Sequence, residues 1–187
     1  TAGRHIIFWT IPASVLFIVL RAQIVRTIFG TGNFNWDDTR LVAASLAIFS
    51  ISMLPQAMNM LFIKGFYAAG KTWKPLIISM VSTISIPIFI FIFFYVFQNS
   101  VIISEIIEST LRIEGSENSN ILLLPLALIS AIFIQLILLY RSFTKEFGGV
   151  FNRLRKILIQ ALIASVVMGL VSYFSLYYLS FMAEKDT

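Results

Sequence analysis

Five long apolar runs constrain this chain more than any other feature, at residues 6–29, 41–63, 75–97, 120–140 and 157–182. As a helix rising ~1.5 Å per residue, each can cross a hydrocarbon core of ~30 Å. None alternates like a strand, and all are too long for one. The remainder is too poor in charge to form a water-facing surface. Only 12% of the 187 residues are charged, against about 25% in a soluble domain. The runs therefore predict an all-α, polytopic integral membrane helix bundle with five transmembrane helices.

The net charge of +5 would suit nucleic acid, but the cations sit between the apolar runs, where membrane topology explains them. Five spans put the two chain ends on opposite sides. The Thr1 side carries nine cations: Arg4, Lys64, Lys71, Lys74, Arg141, Lys145, Arg153, Arg155 and Lys156. The other side carries five: Arg21, Arg26, Arg40, Arg112 and Lys185. This bias predicts a cytoplasmic Thr1 side and an outside loop at 30–40. The run after Arg4 and His5 is too long for a signal peptide and lacks a small-residue cleavage site, so the chain reads as a piece of something longer. With no cysteine, no disulfide or thiolate metal site is available.

Taken in order, the first run contains Pro12, an expected kink. It ends with Arg21, Gln23 and Arg26; Arg21 lies ~23 Å beyond Ile6 and can snorkel to the far interface. The loop from Phe29 to Thr39 has Gly30 and Gly32 to end one helix, and Asp37 or Asp38 to cap the next near Thr39. In the second run Ser45, Ser52, Gln56 and Asn59 fall on one helical face beside Pro55. Unpaired amides are costly in hydrocarbon, so this face must meet other helices or a polar cavity. Phe66, Tyr67 and Trp73 suit an interfacial aromatic belt around the basic loop 64–74. Pro75 opens the third helix, and Pro87 kinks it.

Residues 98–119 combine an amphipathic surface helix with a polar turn. The fourth run holds Gln135, expected in a packing contact. Arg141 to Lys156 form a basic linker facing anionic headgroups. In the fifth run Ala161, Ser165, Gly169 and Ser172 make a small-residue stripe of the kind that lets helices approach closely. No triad, P-loop or dinucleotide fingerprint occurs, and no carboxylate lies within an apolar core. His5 stands without a partner cluster. Catalytic, metal and cofactor sites are therefore not expected.

Two stretches carry a family resemblance. Ile11-Pro12-Ala13, then Ile24-Val25-Arg26-Thr27-Ile28-Phe29-Gly30-Thr31-Gly32-Asn33-Phe34, then Asp38-Thr39, resemble the "LPA … IVRLLFGRGAF … DT" signature of the MurJ (MviN) lipid II flippases. Gly65 to Pro75 resembles their "RAFYALGDTRTP" segment. The likeness is dense over residues 4–78; beyond it the span pattern agrees. Lys71 stands where an acid is common in the family. Ser82, Ser85 and Ile86 stand where asparagines are frequent, so a coupling-cation site finds no support in this run.

The resemblance implies spans nine to thirteen of a transporter with about fourteen helices in the MOP exporter superfamily. Residues 1–140 would be four helices of its second bundle, and 141–187 the basic cytoplasmic linker and fifth helix. It implies a bacterial inner-membrane flippase, not an enzyme, working by alternating access. Its partners would be membrane lipids, an undecaprenyl-pyrophosphate-linked peptidoglycan precursor and its own N-terminal bundle, with no nucleic acid. Ser52, Gln56 and Asn59 are the candidates for cavity lining. Arg21 and Arg26 either meet the pyrophosphate at the exit or anchor the interface. Ser165, Gly169 and Ser172 either border a lipid-tail groove or pack against a helix. The alternatives are another MOP-type exporter, for polysaccharide lipids or drugs, and a non-transporting membrane scaffold.

Overall fold

The computed structural model describes residues 2–29, 36–99, 119–148 and 151–185. They form α1 (Ala2–Phe29), α2 (Trp36–Ala68), α3 (Trp73–Asn99), a 3-10 turn (Ser119–Leu122), α4 (Leu123–Phe147) and α5 (Phe151–Lys185). Each of the five helices contains a segment long and apolar enough to cross a membrane. Among the described residues there is no strand. The expected glycine stop at 30–32 lies outside the described residues, as do the amphipathic helix and most of the polar turn expected across 98–119.

Two boundaries differ from expectation. α2 begins at Trp36 rather than near Thr39. Asp38 therefore falls within its first turn, where a carboxylate favours the free N–H groups and the helix dipole. α4 runs to Phe147 and α5 starts at Phe151, so most of the basic segment 141–156 is helical. Pro12, Pro55 and Pro87 each sit inside a continuous helix. Pro75 is the third residue of α3, where the first-turn N–H has no intrahelical partner to lose.

The packing order is not the chain order. α5 packs on α1, α1 on α2, α2 on α4, and α4 on α3, while α2 and α3 barely touch. The helices thus form a row, α5–α1–α2–α4–α3. Leu41, Ala44 and Ile48 of α2 meet Leu122 and Ile129 towards one end. Phe62 and Phe66 of α2 meet Leu139 and Phe143 of α4 towards the other. Ile7 and Ile11 of α1 meet Ala161 of α5 and Leu54 and Met58 of α2.

The turn from α2 to α3 is fixed by its backbone. Lys71 N–H donates to Phe66 O at 2.9 Å and Gly70 N–H to Tyr67 O at 3.0 Å. This nested pair is a Schellman cap, whose left-handed residue is Gly70 at φ +73°. Glycine takes that angle without a Cβ penalty. The cap delivers Lys71 and Lys74 to Glu146 at the end of α4. Lys71 Nζ stands 2.8 Å from Glu146 Oε2, and Lys74 pairs with Oε1. Lys71 also lies 5.8 Å from the centre of the Phe147 ring.

Candidate functional site

A hydroxyl or amide inside a bilayer must find a partner within the protein or in trapped water. Several hydroxyls turn back on their own helices: Thr10 donates to Ile6 O, Thr83 to Ser79 O and Ser165 to Ala161 O. Three side chains instead reach across to α4 or from it. Asn59 Nδ2 of α2 donates to Ile132 O at 3.2 Å. Ser82 Oγ of α3 donates to Ala131 O at 2.9 Å. Gln135 Nε2 of α4 donates to Ser79 Oγ of α3 at 3.1 Å. Residues 131, 132 and 135 lie close to one turn of α4, so these bonds form a polar belt joining α2, α4 and α3. Gln135 is thereby in the packing contact its sequence context implied.

The α2 candidates divide within that setting. Ser52 is fully buried and donates to Phe49 O at 2.7 Å. Gln56 donates to Ser52 Oγ at 2.7 Å, yet its side chain is exposed. Asn59 is buried against α4, and its Oδ1 has no partner. The structure thus joins Ser52 to Gln56 and turns Asn59 into the helix interface. At ~100° per residue, Phe49, Gln56, Met60 and Tyr67 share one face. All four are exposed.

The opposite face of α2 carries Ile51, Leu54, Pro55, Met58 and Phe62, which floor an apolar trough of about 560 Å³. α1 completes the floor with Ile7, Ile11 and Val15; α4 supplies Phe133 and Leu136, and α5 supplies Leu158 and Leu162. The row curls so that α4 and α5 become the two walls. Sequence reasoning missed this feature, because its lining is mostly ordinary apolar residues drawn from four helices without a distinguishing pattern. The available signal was the apolar series 51, 54, 58 and 62 with Pro55 beside it.

The remaining candidates lie elsewhere. Arg21 is half-buried and Arg26 exposed near the far end of α1. Five residues apart, they point about 140° from each other. With Ile7 and Ile11 level with Met58 and Leu54, they lie about three to five turns beyond the level of Gln56, at ~5.4 Å per turn. Ser165 and Gly169 are buried, while Ser172 is half-buried. A Cβ on Gly169 would stand 2.9 Å from Val15 Cγ1 and 3.6 Å from Val19 Cγ2. The glycine thus lets α5 lie directly on α1. Among the described residues, no group of three or more His, Asp or Glu side chains could hold a metal ion.

Comparison with known proteins gives this arrangement a family. The model of the family described as lipid II flippase MurJ matches residues 1–185. A probable lipid II flippase MurJ of Rhizobium meliloti (strain 1021) is 33% identical over 76 residues, covering 41% of this chain and 14% of that protein. One of Rhizobium tropici is 33% identical over 73 residues, covering 39% and 14%. The chain thus aligns with about one-seventh of the length of these curated relatives. No solved structure matches it significantly. Since the family model spans almost the whole sequence, this chain belongs to the MurJ lipid II flippase family.

Proposed function

We propose that the chain is the part of a bacterial lipid II flippase that separates the substrate's two chemical halves. The supporting observation is the division of α2. One face bears an exposed amide, Gln56, held by Ser52, and the opposite face floors an apolar trough. An exposed amide is unfavourable against lipid tails, whereas water or a polar headgroup would satisfy it. The trough, lined almost wholly by apolar side chains with only Ser14 and Tyr140 carrying hydroxyls, suits a hydrocarbon chain rather than a charged headgroup. A polyprenyl-pyrophosphate-linked peptidoglycan precursor has both parts.

In this reading Gln56 and Ser52 border the headgroup path, and Asn59 fixes that part of α2 against α4. Arg21 and Arg26 meet the pyrophosphate near the exit. Ser165, Gly169 and Ser172 border the tail groove by setting how closely α5 lies on α1. Residues 1–140 belong to the second bundle of a transporter with about fourteen spans, and 141–187 supply the linker and fifth helix. The bundle rocks against the N-terminal bundle, exposing the headgroup path first to the cytoplasm and then to the outside. The excess of cations on the Thr1 side favours a cytoplasmic location for that side in the inner membrane. The role is transport, with no chemical step.

The test uses the full-length protein in cells depleted of their own lipid II flippase. Gln56→Leu is expected to lower the externally accessible precursor while leaving the protein's amount and melting temperature unchanged. Undiminished export, with no other flippase present, would rule out a headgroup role for this face. Normal export by cells lacking the protein altogether would rule out the flippase reading and favour a scaffold.

A further inference from the structure

At the Thr1 end of the bundle, a second cavity of about 680 Å³ opens between α1 and α5. Its lining is Arg4, His5, Phe8, Trp9 and Ile157. It is separate from the apolar trough. The trough takes Ile7 and Leu158, the immediate neighbours of Phe8 and Ile157, so the two open on different faces of the α1–α5 pair. None of the residues assigned above to headgroup or tail lines it.

We propose that this cavity is a headgroup site for an anionic phospholipid, which seats a resident lipid against α1 and α5. The lining changes character along the membrane normal. Arg4 and His5 stand nearest the helix start, and both are exposed. Among the described residues no acid accompanies them in the lining. Phe8 and Trp9 lie four residues on, ~6 Å deeper along the helix. Their rings meet edge to face, with centroids 5.6 Å apart at 87°. A phospholipid changes in the same direction, from anionic phosphodiester to glycerol ester to methylene chain. The Arg4 guanidinium presents paired N–H groups that match two phosphate oxygens. The His5 ring adds a donor, and Trp9 has the amphipathic form favoured at the level of the glycerol esters. A free phosphate ion would use the cations and leave the aromatic floor unoccupied. The inference depends on the chain spanning a membrane and not on which substrate it moves.

Trp9 sits in the cavity and can report on it. The experiment uses the full-length protein with every other tryptophan changed to phenylalanine. It is reconstituted in phosphatidylcholine vesicles containing brominated phosphatidylglycerol or, in parallel, brominated phosphatidylcholine at equal mole fraction. Quenching of Trp9 is expected to report about fivefold enrichment of the anionic lipid. Arg4→Gln with His5→Gln should erase the preference. Arg4→Lys, which keeps the charge and loses the fork, should retain only part of it. Lys145→Gln, at the same membrane end but outside the cavity, should leave it intact, as should added inorganic phosphate. Equal quenching by both lipids would overturn the proposal. So would a preference that survives the double substitution or falls equally with Lys145→Gln, which would mean attraction by overall surface charge. Competition by inorganic phosphate would reassign the cavity to free anions.

Discussion

α2 divides the bundle into two regions that hold together by different physics. On one side, α2, α4 and α3 are tied by directional bonds: Asn59 to Ile132 O, Ser82 to Ala131 O, Gln135 to Ser79, and Glu146 to two lysines. On the other, α5 meets α1 through close apolar packing, with Ala161 and Gly169 admitting Ile7, Ile11 and Val15. Hydrocarbon tails are as apolar as leucine, so apolar contact alone does not draw helices together in a bilayer. The α1–α5 seam must rely on close fit, whereas the α2–α4–α3 block adds bonds that lipid cannot replace. The difference teaches where movement is cheapest. Sliding α5 along α1 disturbs the apolar packing of Ala161 and Gly169 against Ile7, Ile11 and Val15, and the trough lies at that junction.

The largest effect should come from spoiling the fit. Gly169→Leu drives a side chain into Val15, which a Cβ alone would approach to 2.9 Å. We predict a loss of about 3 kcal/mol in the unfolding free energy of the full-length protein in micelles, with most of it recovered by adding Val15→Ala. Unchanged stability for Gly169→Leu alone would mean that the seam is loose. Next in size is Phe66→Ala. Phe66 is fully buried and meets the Phe143 and Phe147 rings edge-on. A soluble core would lose ~3–5 kcal/mol. Here about 2 kcal/mol is expected, because detergent or lipid replaces water around the unpacked ring. A loss as large as that of a soluble core would show that water reaches this end of α2.

The sequence disclosed the spans far better than their neighbours. Hydropathy marks a span whatever lies beside it, so all five runs became helices. Packing order depends on which face of each helix touches which, and a run such as Phe89 to Phe97 is apolar all round. The insertion of α4 between α2 and α3 was therefore hidden. The polar periodicity of α2 was legible, but the different fates of Gln56 and Asn59 were not. Asn59 bonds to a backbone carbonyl, Ile132 O, and every residue has one, so no side-chain pattern could announce the partner. The small stripe on α5 was legible as a site of close approach. That its partners are Val15 and Val19 required the fold.

Within the polar block, Asn59→Leu tests whether the belt stabilises or merely satisfies buried groups. The substitution removes one cross-helix bond together with a buried oxygen that has no partner. The two changes oppose each other, so a loss of only about 0.6 kcal/mol is expected by analogy with other membrane hydrogen bonds. Ser82→Ala should cost about as much, through its bond to Ala131 O. Asn59→Leu matching the Gly169→Leu loss would reverse the ranking of the two regions and make the belt the dominant constraint on α2.

The smallest effect should be at Glu146, although its ion pairs are the most conspicuous contacts at that end. Its side chain is 11% exposed, while those of Lys71 and Lys74 are each 50% exposed. The lysines can return to water when the acid is removed, so most of the Coulomb attraction is offset by their hydration. Glu146→Gln is therefore expected to cost about 0.5 kcal/mol at low salt and less at high salt. The Schellman bonds of Lys71 and Gly70 do not involve the carboxylate, so the α2–α3 turn should keep its shape. Hydrogen exchange of the Lys71 amide separates the two contributions. Unchanged protection in Glu146→Gln would assign the turn to its glycine cap, whereas faster exchange would mean that the ion pairs hold the loop and that the directional block extends to this end of the bundle.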